Sequence, residues 1–378
     1  MSILDWLTWD TALVTFAGLG LCLRHDARLP ELPEEAPPSE ATVCLCMPAR
    51  DEVQEVGAAV ASWLAQDHRG LRLVVVDDGS TDGTTQVLAA LAEAHPGRLA
   101  VIRNDHLPPG WLGKNHAMHL AQAHPWAREA EWLLLADADV QAIPSLLTRA
   151  LAFAQGQPTD VLALLPAIDT LTPGERLALP LASASFLMLV PPHKVPDPKA
   201  FAFCGVGAFT LIRRAAYDAL GGHAGAPLEA IDDMMLARRA KAAGFVNRVA
   251  RGGPELHLRM YHGLWSFIRA LRKNAMALPL WPLAPLGVAA TLLVFLAPFW
   301  MPLTGHPLLG LLSWLLVPAL LGHVAQRMTR RPMDLLWALW PLLGPCLALG
   351  QLWAFMDRLR GFNHWRGRSV PLAGPPTG

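Results

Sequence analysis

Three acidic clusters carry the chemistry this chain is equipped for: Asp77-Asp78 in VVVDDGSTDGT, Asp137-Ala138-Asp139 in WLLLADADV, and Asp232-Asp233 in LEAIDDMMLARRAKAAGF. The first pair ends an apolar run. Gly79, Ser80 and Thr81 then turn the chain toward Asp82, which is suited to cap the next helix. A capped acidic turn accounts for Asp82 but not for two adjacent carboxylates at a strand end, which suit a uracil-type base and a ribose. In extended backbone, residues two apart point to one side. Asp137 and Asp139 can therefore face one ion, and a hard Mg²⁺ or Mn²⁺ takes carboxylate oxygens and completes its shell with phosphate. Asp232 and Asp233 open an amphipathic helix, where the helix dipole favours acids. They read equally as dipole-complementing acids or as a general base beside an acceptor hydroxyl.

The elements that must position these acids alternate. Apolar, β-rich runs at 43–47, 71–77, 99–103 and 132–136 are separated by helical stretches near 52–66, 82–95 and 114–124. Further strands are predicted at 161–165 and 208–212, and a helix at 231–243 that stops at Gly244. Such alternation predicts an α/β fold with a mostly parallel sheet. It sets the first two clusters at carboxyl ends of strands, where open α/β sheets bind ligands.

Composition adds a membrane. Hydrophobic residues make up 53% and charged residues 16%, against about 25% charged in ordinary soluble chains. Lys+Arg and Asp+Glu balance at 31 each, so charge implies no nucleic-acid partner. The apolar stretch 6–23 is followed, not preceded, by Arg24 and Arg28, which suits a signal-anchor rather than a cleaved leader; an interfacial helix is the alternative reading. Residues 29–41 are Pro- and Glu-rich, as in a linker. Stretches 283–303, 308–324 and 333–356 approach bilayer-crossing length, and the basic loop 326–331 (QRMTRR) belongs on the cytoplasmic side. Pro341, Gly344 and Pro345 mark the third stretch as a candidate re-entrant or broken hairpin, which would leave the basic tail cytoplasmic. The stretch 177–190 is too short to span and reads as a core helix, or as part of an acceptor groove. The five scattered cysteines read as structural, with Cys44 and Cys46 on one strand face. His124, His223, His257 and His262 have no metal-ligand spacing, and no role is assigned to them.

Taken together, the clusters resemble the family 2 glycosyltransferases, whose nucleotide-sugar-binding fold is GT-A. Pro48-Ala49-Arg50-Asp51-Glu52 is similar to that family's opening PxRNE-type strand end, with Asp51 where Asn is more usual. VDDGSTDGT is similar to its nucleotide-binding signature, DAD to its metal motif, and AIDDMMLARRAKAAG to its ED motif with Asp232 in place of Glu. A narrower resemblance lies in GWLGKNHA (110–117) and HWRGRS (364–369), similar to the subgroup of hopene-associated and bacterial carotenoid (diaponeurosporenoate-type) glycosyltransferases. The segment 260–277, with Arg269, Arg272 and Lys273 beside Trp265 and Phe267, suits an amphipathic helix at a membrane surface.

The resemblance implies a GT-A α/β domain with a mostly parallel sheet, an N-terminal anchor and C-terminal transmembrane helices. The expected organisation is an anchor at 1–28, a linker at 29–41, the GT-A domain at 42–277, membrane helices at 278–358 and a basic tail at 359–378. Pro48, Arg50, Asp51, Asp77, Asp78, Lys114 and Asp137 are the expected donor-binding residues. Asp139 with Asp137 would hold a divalent metal, and Asp233 with Asp232 would be catalytic, Asp233 as base. The implied reaction is inverting transfer from a nucleotide-sugar donor to a lipid-like acceptor of carotenoid or hopanoid type. The implied site is a multi-pass protein of the cell (inner) membrane with a cytoplasmic catalytic domain. A polyprenyl-phosphate, diacylglycerol or ceramide-like acceptor stays open, as does a non-catalytic membrane protein with a degenerate domain. No QxxRW-like motif of a processive synthase is present.

Overall fold

The computed structural model describes residues 2–275, 283–329, 334–360, 362–365 and 368–371. The remaining positions, including parts of the basic loop and of HWRGRS, lie outside the described residues. The chain forms two compact units, one comprising Arg28–Asp169 with Val190–Met260, the other Met1–Ala27, Thr170–Leu189 and Tyr261–Gly378.

The first unit is built on an eight-stranded sheet. Its strands are β1 (Val43–Ala49), β2 (Leu71–Asp77), β3 (Leu99–Arg103), β4 (Trp132–Leu135), β5 (Val140–Ala142), β6 (Val161–Ile168), β7 (Thr210–Arg213) and β8 (Asn247–Leu258). Their order is β3-β2-β1-β4-β7-β6-β8-β5. The block β3-β2-β1-β4 is parallel throughout, while β7 is antiparallel to both its neighbours. The parallel strands are buried on both faces, which is why they read as unbroken apolar runs. Leu45, Met47, Leu73, Val75 and Leu134 enter one core with Trp63. Cys44, Cys46, Val74, Val76 and Leu133 enter the other, so the two cysteines do share a face, fully buried and unpaired with each other.

That second core decides where the chemistry meets. Helix Gly113–Ala123 docks on it through Ala117, Met118 and Ala121, and helix Asp232–Ala242 through Leu236 and Ala240. Lys114 falls in the first turn of one, Asp232 and Asp233 in the first turn of the other. β8 was not legible in the sequence, because Gly252, Gly253 and Pro254 read as a turn. The structure absorbs them as two register shifts against β6, between Leu165 and Pro166 and between Pro166 and Ala167. The Pro- and Glu-rich segment is not a free linker. Leu32 sits in the first core, Arg251 donates from Nε to Glu31 at 2.9 Å, and its backbone N–H donates to the Pro30 carbonyl at 2.8 Å.

In the second unit, three helices are long and apolar enough to cross a membrane: Ile3–Asp26, Pro307–Met328 and Leu335–Leu359. Ala284–Phe295 and Ala297–Leu303 pass the same test as one segment bent by 73°. That break falls in the first C-terminal stretch, where Pro298 lacks an N–H and starts a new helix. Asp5 approaches His306 at 3.3 Å, and Asp26 meets His323 at 2.9 Å and Arg327 at 3.1 Å. Helix Ile3–Asp26 therefore runs parallel to Pro307–Thr329. Gly344 packs on Phe295 and Gln351 donates to Thr291 at 3.1 Å, so helix Leu343–Leu359 runs antiparallel to Ala284–Phe295.

The turn after β2 shows how the sheet unit holds its carboxyl edge. Asp77, with its side chain fully buried, accepts hydrogen bonds from the Ser80 N–H (3.0 Å), Thr85 Oγ1 (2.6 Å) and Arg103 Nη1 (2.6 Å). Burial alone would raise its carboxyl, but these donors outweigh it and hold the group below the usual carboxylate range. Asp77→Ala would leave three donors without their acceptor. It is expected to cost about 3 kcal/mol, measurable as a lower denaturation midpoint of the full chain in detergent, with Asp77→Asn intermediate.

Candidate active site

Five of the expected residues, Pro48, Lys114, Asp137, Asp232 and Asp233, converge on one cleft. Lys114 Nζ lies 2.9 Å from Asp137 Oδ1 and 3.3 Å from Asp232 Oδ1, and Asp233 lines the same cleft with Pro48, Gly207 and His223. They come from the end of β1, the end of β4 and the starts of two helices. The electrostatics follow from crowding. Burial opposes the Lys114 charge, yet the acids Asp137, Asp232 and Asp233 around it push its pKa well above the ordinary value. Burial, then the charge of Asp232, raise Asp233 to about 6, against the pull of Lys114 and a hydrogen bond from the Met234 N–H.

Two glycines let the backbone come this close. A side chain at Gly207 would put its Cβ 2.6 Å from Asp137 Oδ2, and one at Gly205 would collide with the Asp233 carbonyl. Asn115, 1% exposed, clamps the loop that delivers Asp232. It donates to the carbonyls of Pro227 (3.1 Å) and Glu229 (3.0 Å), while the Leu112 N–H donates to Pro227. The motif GWLGKNHA thus supplies a charge and a clamp side by side. Neither glycine nor Asn115 had been singled out, since their role lies in contacts to residues far along the chain.

Arg50, Asp51 and Asp78 form a second group on the neighbouring turns. Arg50 Nη1 donates to the Asp78 carbonyl at 2.7 Å and sits 3.7 Å from its Oδ2, and Asn104 donates to Asp78 Oδ1 at 2.7 Å. Asp51 has φ +52°, a left-handed conformation that Asp and Asn tolerate better than most. Its Oδ1 accepts from the Thr81 N–H at 2.8 Å, and its own N–H donates to Ser80 Oγ at 3.0 Å. Asp77 is turned inward, away from this group, into the network described above.

The DxD acids fit a divalent cation by one test. Ala138 is 3% exposed and packs in the first core, while Asp137 and Asp139 on either side are half-buried. Residues 138–139 form a turn rather than the extended backbone expected, with the Val140 N–H donating to the Asp137 carbonyl at 3.4 Å, and Asp139 Oδ1 is buried. Among the described residues no three His, Cys, Asp or Glu groups form a complete metal cage. A cation held here would draw its remaining ligands from oxygens outside the chain.

Residues 44–221 match the family described as Glycosyl transferase family 2. Over that stretch the chain is similar to a glycosyltransferase family 2 domain. Its fold is shared with the mannosyltransferase PcManGT from Pyrobaculum calidifontis, solved in complex with GDP-Man and Mn²⁺. The two agree at TM-score 0.56 and 19% identity over 94% of this chain and 99% of that one. TarS 1–349 of S. aureus is more distant, at TM-score 0.40 and 15% identity over 89% and 97% of the two chains. In sequence, 81 residues are 35% identical to the succinoglycan biosynthesis protein ExoU of Rhizobium meliloti (strain 1021). That match covers 21% of this chain and only 23% of ExoU.

The contact at Gly207 makes the glycosyltransferase domain testable without knowing its acceptor. Gly207→Ala is expected to displace the Asp137 carboxylate and weaken joint binding of Mn²⁺ and a nucleoside diphosphate by about tenfold or more. Calorimetric titration would measure this, with the thermal midpoint little changed.

Proposed function

We propose that this protein is a membrane-bound, inverting glycosyltransferase that moves a sugar from a nucleotide-sugar donor to a lipid-like acceptor. The observation that carries the reading is the convergence of Lys114, Asp137, Asp232 and Asp233 at the carboxyl edge of a family 2 domain, in a chain with membrane-length helices. A carotenoid or hopanoid acceptor is the preferred class, on the resemblance of GWLGKNHA. Asp78, Arg50 and Asp51 hold the nucleoside, with Asp77 bracing the turn beneath them and Pro48 walling the cleft. Asp139 and Asp137 hold a divalent metal, which when bound neutralises the diphosphate and stabilises it as leaving group. Lys114 adds a fixed positive charge beside it.

Asp233 takes the acceptor's hydroxyl proton as the acceptor oxygen bonds to the anomeric carbon and the bond from that carbon to phosphate breaks. Asp233 must be ionised to do so. With its pKa at about 6, turnover is expected to be full above neutrality and to fall about tenfold per pH unit well below 6. The same raised pKa means that ionising Asp233 in the folded state costs stability at neutral pH, a cost absent below the unfolded value. Asp233→Asn should therefore lose about 10³-fold or more in turnover while unfolding no earlier than wild type. The assay is transfer by purified protein in detergent, with UDP- and GDP-sugars, Mn²⁺ or Mg²⁺ and a total bacterial lipid extract. GDP-mannose comes first, because the mannosyltransferase of like fold holds it. A metal-dependent glycolipid that disappears in Asp139→Ala supports the reading; no donor turnover under any metal overturns it in favour of a degenerate domain.

The helix directions support a cytoplasmic tail. Asp26 and Arg327 share one end, Thr304 meets Thr8 at 3.1 Å near the other, and Leu343–Leu359 runs back against Ala284–Phe295. Leu335–Leu359 is long enough to cross, but on this reading it is a re-entrant hairpin that enters and leaves on the face where Asp26 ends. A fluorescent protein fused to the C-terminus is expected to light up in the cytoplasm, and an alkaline phosphatase fused there to stay inactive.

A further inference from the structure

One buried group points into the cleft that none of these roles uses. His223 is 4% exposed and lies in the short turn Gly222–Gly225. Its Nδ1 is 2.7 Å from the Tyr217 hydroxyl, and its own backbone N–H donates to that same oxygen at 3.3 Å. A phenol has a single proton. Its oxygen accepts from the amide, and donating that proton to Nδ1 is the arrangement that gives the buried O–H an acceptor; the neutral imidazole then carries its own proton on Nε2, the atom that faces Asp232. Tyr217 is 1% exposed, and burial pushes its hydroxyl pKa up, so it keeps the proton this arrangement needs.

The Nε2 atom is buried and has no hydrogen-bond partner among the described residues. It faces Asp232 Oδ2 at 3.7 Å, while Asp232 Oδ1 lies 3.3 Å from Lys114 Nζ. A side-chain movement of about 1 Å would turn that approach into a charge-assisted hydrogen bond, and such contacts are commonly long before substrate binds. Asp232 would then have a cation on one oxygen and an N–H on the other. Among the described residues, the one hydrogen bond to the Asp233 carboxylate comes from its neighbour's backbone N–H, Met234, at 2.8 Å.

We propose that His223 is a positioning residue: held by Tyr217 as an Nε2–H donor, it fixes Asp232 against Lys114 and leaves proton transfer to Asp233. This rests on the reading of Asp233 as the base. It also assigns different work to two adjacent acids that the sequence leaves equivalent.

The test uses the full chain in detergent. His223→Gln keeps an N–H donor near the Nε2 position, His223→Leu removes it, and Tyr217→Phe releases the tautomer. His223→Leu is expected to lower kcat about 100-fold with the donor KM within about threefold, and His223→Gln to restore kcat to within about fivefold of wild type. In ¹⁵N-histidine-labelled protein without ligands, the resonance missing from His223→Gln should be that of an Nε2–H imidazole, and Tyr217→Phe should shift it toward mixed tautomers. An Nδ1–H signal at that position, or equal kcat in the Leu and Gln variants, overturns the proposal; should the Leu variant not fold, the Gln variant and the NMR signal decide. Full turnover by Asp233→Asn would instead take down the base assignment, with the tautomer signal judging His223 independently.

Discussion

The carboxyl edge of the sheet is governed by the imbalance of charge around Lys114. Three carboxylates, Asp137, Asp232 and Asp233, reach it from two distant parts of the chain, and one ammonium meets them. Two like charges about 4 Å apart in such a setting repel by about 4 kcal/mol, so the cluster cannot stay fully ionised without relief. Asp233 provides part of it by holding its proton up to about pH 6. The rest has consequences for ligands. A diphosphate brought to this edge adds negative charge to a site already in excess of it. A cation arriving with the diphosphate would reverse the sign of that encounter, so under the proposed function the same imbalance that raises Asp233 would favour donor and metal together over either alone.

Holding repelling groups in place requires a stiff frame, and the frame is mostly backbone. Gly205 and Gly207 bring one strand-entry segment into van der Waals contact with Asp233 and Asp137, where any side chain would intrude. Asn115 ties the loop before Asp232 to the start of the helix that carries Lys114. Asp51, in its left-handed conformation, and Asp82 lock the two turns beside Asp78, Asp82 accepting from the Val53 N–H at 3.1 Å. None of these residues needs to touch a substrate to matter. They spend conformational freedom on geometry, which is what lets electrostatics at the edge act without first reorganising it.

This division explains what the sequence could disclose. β2 and β3 were legible to the residue, because strands buried on both faces leave unbroken apolar runs, and the acids at strand ends stand out against them. Asp77 was less so: adjacent to Asp78 and identical in type, it differs only in facing inward to Arg103 and Thr85, and strand alternation alone does not say which of two end residues the sheet will bury. β8 was hidden by Gly252, Gly253 and Pro254, whose local preference for a turn is overruled by pairing with β6. His223 was hidden for another reason. Its meaning comes from Tyr217 on one side and Asp232 on the other, and a histidine carries no mark of its partners.

The membrane unit shows the same limit in larger form. Length and hydropathy identified the apolar stretches, but three C-terminal crossings after an anchor could not keep the sheet domain and the tail on one face. Direction is the missing quantity, and direction comes from contacts. The pairing of Asp26 with His323 and Arg327 buries a carboxylate at 2% exposure, which is costly unless both partners are in place. It therefore pins helix Ile3–Asp26 and helix Pro307–Thr329 end to matching end, so the two run in the same sense. The bent pair from Ala284 must then carry the chain to the opposite end to begin Pro307, and whatever packs antiparallel to it must return. Helix Leu343–Leu359, antiparallel to Ala284–Phe295, makes that return, so contacts supply a direction that hydropathy does not.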